Sequence, residues 1–258
     1  MGLFYHAKKA VDEADVVIEI LDARFPDLTR NTEMEEHIQR KRKQLVFVLN
    51  KSDLTTKETA EKNKKELSKI APTVFVSVKQ KQGTAILRNE LKRVVHSKFG
   101  KKNSRHRKVL VAIIGYPNTG KSSILNALTG RRSAKTSAQA GYTRGRQFIK
   151  LEDDLFLVDS PGVIPFLKRD DIELALVGAK SPNQLPDVEG AALGILDYMK
   201  KENPNSWTEN FGFDATDSQE MLDRIAKAKK RLLKGGGADT ENTSKIVVQD
   251  WQNGKIRV

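Results

Sequence analysis

The chain has 258 residues, room for one large domain or a medium one with an appendage, and enough to bury a core without covalent staples. It contains no cysteine, which excludes a disulfide framework, thiolate chemistry and cysteine-based zinc sites; its four histidines (His6, His37, His96, His106) are too scattered for a dedicated metal site. The 46 basic residues against 33 acidic leave a net charge of +13, a field that favours polyanions. The longest apolar runs are of strand length, far below the ~20 residues of a spanning helix. Acidic residues follow the N-terminus before any secretory segment forms, and Gly2 lacks the downstream Ser/Thr of a myristoylation signal. A soluble, cytoplasmic protein is expected.

In chain order, the β-branched run 16–21 predicts a strand and 33–43 a helix. Residues 45–49 predict a second strand, 55–70 a Lys/Glu-rich helix and 73–76 a third strand. Residues 84–96 predict a helix with Ile86, Leu87, Leu91 and Val94 on one face. Mostly apolar strands alternating with helices imply a parallel sheet covered on both faces. The segment 98–108 carries six Lys/Arg and no acid, and reads as a connector. A strand at 109–114 and a helix at 121–129 follow, then a polar loop at 131–142 and strands at 146–151 and 155–158. Past about residue 181 the β signal stops. Helices are predicted at 188–200, at 216–234 with a terminating Gly235-Gly-Gly237, and at 245–253. The expected organisation is an α/β domain over 1–180 and a small, basic helical domain over 187–258.

The sharpest motif is Gly115-Tyr-Pro-Asn-Thr-Gly-Lys-Ser122, a glycine-rich phosphate loop between a predicted strand and a predicted helix. Its glycines let backbone amides face phosphates at a helix N-terminus. Asn118, Thr119, Gly120, Lys121, Ser122 and Ser123 are the expected phosphate-side contacts, with Lys121 on the β/γ-phosphates and Ser122 on Mg²⁺. Asp159-Ser-Pro-Gly162 follows the 155–158 strand, so Asp159 can hold magnesium through water and Gly162 can offer its amide to a γ-phosphate. Thr143, in the intervening loop, is a candidate second magnesium ligand.

Asn50-Lys51-Ser-Asp53 follows the second strand. A carboxylate at Asp53 accepts from the guanine ring N–H and exocyclic amine together, a donor pair that adenine lacks. Ser77-Val78-Lys79, after the third strand, can set a backbone amide against the guanine carbonyl. Arg224, Lys227, Arg231 and Lys234 fall at helical spacing beside an apolar stripe of Met221, Ile225, Ala228 and Leu232, which predicts a cationic ridge suited to RNA. Trp207 and Trp251 are candidates for core packing or base stacking.

The motif order is base loop, second base loop, phosphate loop, Thr143, then Asp-x-x-Gly; small GTPases ordinarily begin with the phosphate loop. The chain thus resembles the circularly permuted P-loop GTPases of the YlqF/YawG type, which act in ribosome assembly. Leu21-Asp-Ala-Arg-Phe-Pro26, Thr29-Arg-Asn31, Gly141-Tyr-Thr143 and Asp250-Trp-Gln-Asn-Gly-Lys-Ile256 support the likeness. It implies a permuted GTPase fold with a helical C-terminal domain, and GTP hydrolysis to GDP and phosphate with Lys121, Thr143 and Gly162 in the catalytic set. It further implies Mg²⁺, K⁺ near Asn118, and ribosomal RNA or a large-subunit precursor as partner, for a monomer. His6 is a candidate for the N-terminal catalytic histidine of some relatives. Val163 stands where many GTPases have a water-orienting glutamine, so hydrolysis should be slow. A GTP-dependent RNA-binding switch without turnover and an ATP-using P-loop enzyme are the alternatives.

Overall fold

The computed structural model describes residues 3–100, 107–130, 148–152, 155–158 and 170–258. Thr143, Asp159, Gly162 and Val163 lie outside the described residues, as does the side chain of His6.

Six strands form one sheet: β1 (Val16–Asp22), β2 (Gln44–Asn50), β3 (Thr73–Phe75), β4 (Val109–Gly115), β5 (Phe148–Glu152) and β6 (Leu155–Val158). Their order is β3-β2-β1-β4-β6-β5, with every neighbouring pair parallel except the antiparallel edge pair β5–β6. All seven residues of β1 are buried, as an apolar strand covered on both faces requires. On one face Val16, Ile18, Ile20, Val46, Val48 and Val111 pack against Leu87, Leu91 and Val94 of α5 (Thr84–Phe99) and Ile124 of α6 (Lys121–Thr129). On the other, Val17, Ala112 and Ile114 meet Ala7, Ala10 and Val11 of α1 (Leu3–Glu13) and Met34 and Ile38 of α3 (Thr32–Arg40). The short α2 (Pro26–Thr29) follows β1, and α4 (Lys57–Leu67) buries Ala60 and Leu67. Helix α1 has no counterpart in the predicted elements.

The remaining helices are α7 (Asp171–Leu176), α8 (Val188–Glu202), α9 (Ser206–Phe211), α10 (Ser218–Ala228) and α11 (Thr240–Gln252). Contacts divide the chain into units 1–166 and 167–258. The sequence places the division later, between 180 and 187. Helix α7 joins the helical unit because Trp251 Nε1 donates to Leu176 O at 3.0 Å and Gln252 Nε2 to Lys180 O at 2.8 Å. Both tryptophans are core residues: Trp207 and Trp251 are 2% and 0% exposed, and each indole N–H is spent on a backbone carbonyl. Neither is open to a nucleic-acid base.

Helix α10 also ends earlier than expected, at Ala228 rather than 234. Lys230 adopts φ +55°, Arg231 N donates to Ala226 O and Lys230 N to Lys227 O, the bond pair that closes a helix by reversing it. The chain then turns back as a hairpin, with Leu232 bridged to Ala238 and Leu233 N donating to Gly237 O. Leu232 is therefore 50% exposed instead of buried, and Arg231 and Lys234 stand on the hairpin, not on a helical ridge.

Candidate functional site

Strands β2, β1 and β4 are neighbours, and their carboxyl ends bring Asn50, Asp22 and Gly115 to one edge of the sheet. Chain direction across the sheet reverses between β1 and β4, and ligands of open α/β sheets bind at such a switch point. The 115–122 loop begins there and feeds α6.

Backbone shape explains its glycines. Gly115 has φ +148°, and a Cβ would sit 2.5 Å from Ile20 O, so β4 approaches β1 this closely only with glycine. Gly120 has φ +98°, and its Cβ would lie 2.1 Å from Asn50 Nδ2. That contact is where the two motifs meet: Asn50 Nδ2 donates to Thr119 O at 2.7 Å across 69 positions of sequence. Thr119, fully buried, donates its hydroxyl to Tyr116 O at 2.9 Å, which braces the loop from within. Asn118, at the exposed tip, is left-handed at φ +59°. The Lys121 ammonium donates to Tyr116 O, and burial lowers its pKa to about 8. Ser122 and Ser123 are exposed at the first turn of α6. The far end of that helix is held by Arg88 of α5, whose Nη2 donates to Ala127 O and Leu128 O at 2.9 Å each.

On the β2 side, Lys51 is left-handed (φ +59°) and starts the 3₁₀ turn Ser52–Leu54 that carries Asp53. Asp53 Oδ1 accepts from Ser77 Oγ at 2.6 Å, which joins the two loops assigned to the base. Ser77 is fully buried, and its Oγ also accepts from Gln80 N at 3.1 Å, so the 77–82 turn closes over it. Val78 packs against the core beneath, leaving Lys79 on the exposed turn.

The structure adds residues to which sequence reasoning gave no role. Asp22, fully buried, binds Lys51 Nζ at 2.8 Å and Arg24 Nη2 at 2.9 Å through Oδ2. Burial alone would raise its pKa, yet Arg24 and Lys51 hold it down, at about 2. Glu19, also fully buried, accepts from Asn31 N at 2.7 Å through Oε1, while Oε2 has no partner. Burial and the nearby Glu35 carboxylate raise the Glu19 pKa well above its ordinary value. The Leu21–Pro26 and Thr29–Asn31 matches were the signal, since a polar residue inside an apolar strand demands a partner. Among the described residues no cluster of His, Cys, Asp or Glu suits a metal, and no helix is long and apolar enough to cross a membrane.

A family model described as RsgA GTPase matches residues 10–166, and one described as 50S ribosome-binding GTPase matches residues 110–230. The chain belongs to the circularly permuted GTPases. It is 40% identical over 249 residues to a GTP-binding protein of Methanocaldococcus jannaschii, covering 96% of this chain and 64% of that protein. Nucleolar GTP-binding protein 2 of Saccharomyces cerevisiae is 34% identical over 96% of this chain and 51% of its own length. The chain thus spans about half to two thirds of these relatives. In fold it resembles GDP-bound YlqF of T. maritima, with a TM-score of 0.71 over 97% of this chain and 96% of that one at 23% identity.

Proposed function

We propose that this GTPase-family chain binds GTP, hydrolyses it slowly to GDP and phosphate, and uses the bound nucleotide to gate contact with ribosomal RNA during large-subunit assembly in the cytoplasm. The observation that carries the nucleotide reading is the Asn50–Thr119 hydrogen bond, which locks a base loop to a phosphate loop at the sheet's switch point. In this reading Asn50, Lys51 and Asp53 hold guanine, joined by Ser77, Val78 and Lys79. The phosphates lie against Asn118, Thr119, Gly120, Lys121, Ser122 and Ser123. Gly162 takes the γ-phosphate, and the catalytic set is Lys121, Thr143 and Gly162. The exposed Ser122 hydroxyl is a hard oxygen at a helix start, a donor suited to Mg²⁺, which Thr143 and Asp159 would share. That ion would offset charge on the phosphate oxygens. The exposed Asn118 carboxamide is a neutral oxygen donor that fits K⁺.

Asp53→Asn tests the base assignment. GTP affinity should fall by roughly 3–5 kcal/mol while xanthine nucleotides gain, because an amide donates where the carboxylate only accepts. Calorimetry showing unchanged GTP affinity sinks the assignment. Hydrolysis should be faster in K⁺ than in Na⁺, with Asn118→Ala removing the difference.

For RNA, the exposed cations Lys230, Arg231 and Lys234 at the helix end and on the hairpin take the place of the expected ridge, while Lys229 is paired with Asp250. Arg224 is committed to Glu220 at 2.8 Å, and in the basic connector Lys98 donates to Asp15 O and Arg107 pairs with the Asp15 carboxylate at the surface. Replacing Lys230, Arg231 and Lys234 with Gln should flatten the salt dependence of ribosomal-particle binding by about one counterion per lost contact. GTP affinity should not change. Val163, an aliphatic side chain where water must be oriented, favours a second reading: a switch that binds RNA with GTP but does not turn over. Multiple-turnover phosphate release with and without ribosomal particles separates the two.

A further inference from the structure

Asp22 is a buried carboxylate that the roles assigned above leave unused. It ends β1, the strand between the one that carries the base loop and the one that carries the phosphate loop. Besides the two Oδ2 ion pairs, its Oδ1 accepts from Arg24 Nε at 3.0 Å and from Arg24 N at 3.1 Å. One anion therefore faces two cations, with the Arg24 side chain 7% exposed and that of Asp22 0%. A buried ion set of this kind is weak evidence for stability, since apolar residues of similar volume commonly do as well. What it supplies is register.

The register it controls is that of the base loop. Lys51 is a non-glycine residue in the left-handed region, a conformation that surrounding contacts must hold. Asp22 grips its ammonium, and Ala23 N donates to Asn50 O at 2.8 Å, so residues 22–24 pin both the side chain of Lys51 and the backbone of Asn50. Asp53 lies two residues further along the same turn.

We propose that Asp22 and Arg24 are positioning residues for base recognition. They hold Lys51 in its left-handed turn, so that Asp53 and Asn50 stand placed for the nucleobase before it arrives. This rests on the reading that residues 50–53 take the base. A loosened base loop leaves the 115–122 loop intact, so phosphate binding persists while base reading decays.

The experiment uses the full chain with Asp22→Asn and Arg24→Lys, the second of which keeps the charge but not the planar two-point grip. Calorimetry gives affinities for GDP, IDP and ADP, and thermal unfolding is followed on the same samples. IDP lacks the exocyclic amine, so the GDP-to-IDP ratio reads how well the Asp53 carboxylate is placed. In both variants GDP affinity should drop by about tenfold or more while IDP affinity changes less and ADP affinity holds, so the GDP-to-IDP ratio moves towards one. Arg24→Lys decides the matter if Asp22→Asn does not fold. A melting temperature that falls while the GDP-to-IDP ratio stays at the parent value overturns the inference and leaves a merely structural role. A parent protein with no preference for GDP over ADP overturns the base-loop reading itself, a different failure.

Discussion

In the sheet unit Glu19, Asp22, Asn31 and Asn50 are each less than 5% exposed, set among the valines and isoleucines of β1 and β2. In the helical unit the buried polar residues among those described are Ser206, Thr243 and Ser244, with no charge, while the core is Ala, Val, Ile, Leu, Met and Trp. The described Lys and Arg there lie at the surface, several paired in exposed bridges such as Lys245–Glu241 and Arg224–Glu220. Burying a charge is costly unless it is paired, and in the sheet unit Asp22 keeps its charge at the end of β1 because Arg24 and Lys51 pair it. The helical unit holds its shape by apolar packing and keeps its charged side chains at the surface. Placement of groups is what the first unit is built for, and exposure of groups is what the second is built for.

The contrast breaks most visibly in the helical core. Trp251→Ala removes a fully buried ring that meets Tyr198 edge-on at 6.0 Å and donates to Leu176 O. It should cost about 3–5 kcal/mol of unfolding free energy by denaturant titration. Both tryptophans lie in this unit, so the fluorescence of Trp207 reports it. GDP affinity below the unfolding midpoint should be unchanged, and a parallel loss of affinity would deny the division of labour.

Gly120→Ala tests the sheet unit's reliance on placement. A methyl group 2.1 Å from Asn50 Nδ2, at φ +98°, must push the phosphate loop off the base loop. GDP affinity should fall by roughly a hundredfold, a cost of about 3 kcal/mol, with the tryptophan-reported transition unmoved. Affinity within a factor of about two of the parent would show the Asn50–Thr119 junction to be incidental.

A smaller effect follows from Lys121. Its free-state pKa of about 8 rises when phosphates pair with the ammonium, so binding takes up a proton above that pH. Nucleotide affinity should be flat below about pH 8 and fall by up to about tenfold per pH unit above it. The same depression has a stability consequence: the unfolded chain binds the extra proton, so the desolvation penalty is relieved as pH rises from about 8 towards the ordinary lysine value. A Lys121→Met variant should show neither trend.

The smallest effect concerns Glu19. Its folded pKa is raised, so its contribution is full below the ordinary carboxyl value and is lost as pH rises above it. Glu19→Gln should remove that loss, so stability falls less in the variant than in the parent as pH rises above the ordinary carboxyl value. An unchanged pH profile would mean that Glu19 is not the group that titrates.

Much of this was legible in the residues. The alternation at 16–21, 45–49, 73–76 and 109–114 placed four parallel strands, and Gly115–Ser122 and Asn50–Asp53 appeared at strand ends as their chemistry requires. Helix α10 ends before its glycines because its terminating left-handed residue is Lys230, a stop that the sequence pattern does not mark, whereas Gly235 carries the usual signal. Leu232 then fell into an apolar stripe that the hairpin turns outward. The partnership of Asp22 with Lys51 is not legible, although Leu21–Pro26 carries part of the family likeness.

Motif order, the α/β class, the phosphate loop with its strand-to-helix setting and a separate helical C-terminal region are all readable from the residues alone. Those are local properties, set by side-chain period and by backbone conformations that few residues tolerate. The tertiary structure alone decided that Asn50 bonds to Thr119, that Asp22 lies between Arg24 and Lys51, that both tryptophans are buried, and that α7 belongs with the helical unit. These depend on which strands lie side by side and which helix faces meet. A short-range pattern carries no record of that, because residues far apart in sequence become neighbours only once the sheet has closed in the order β3-β2-β1-β4-β6-β5.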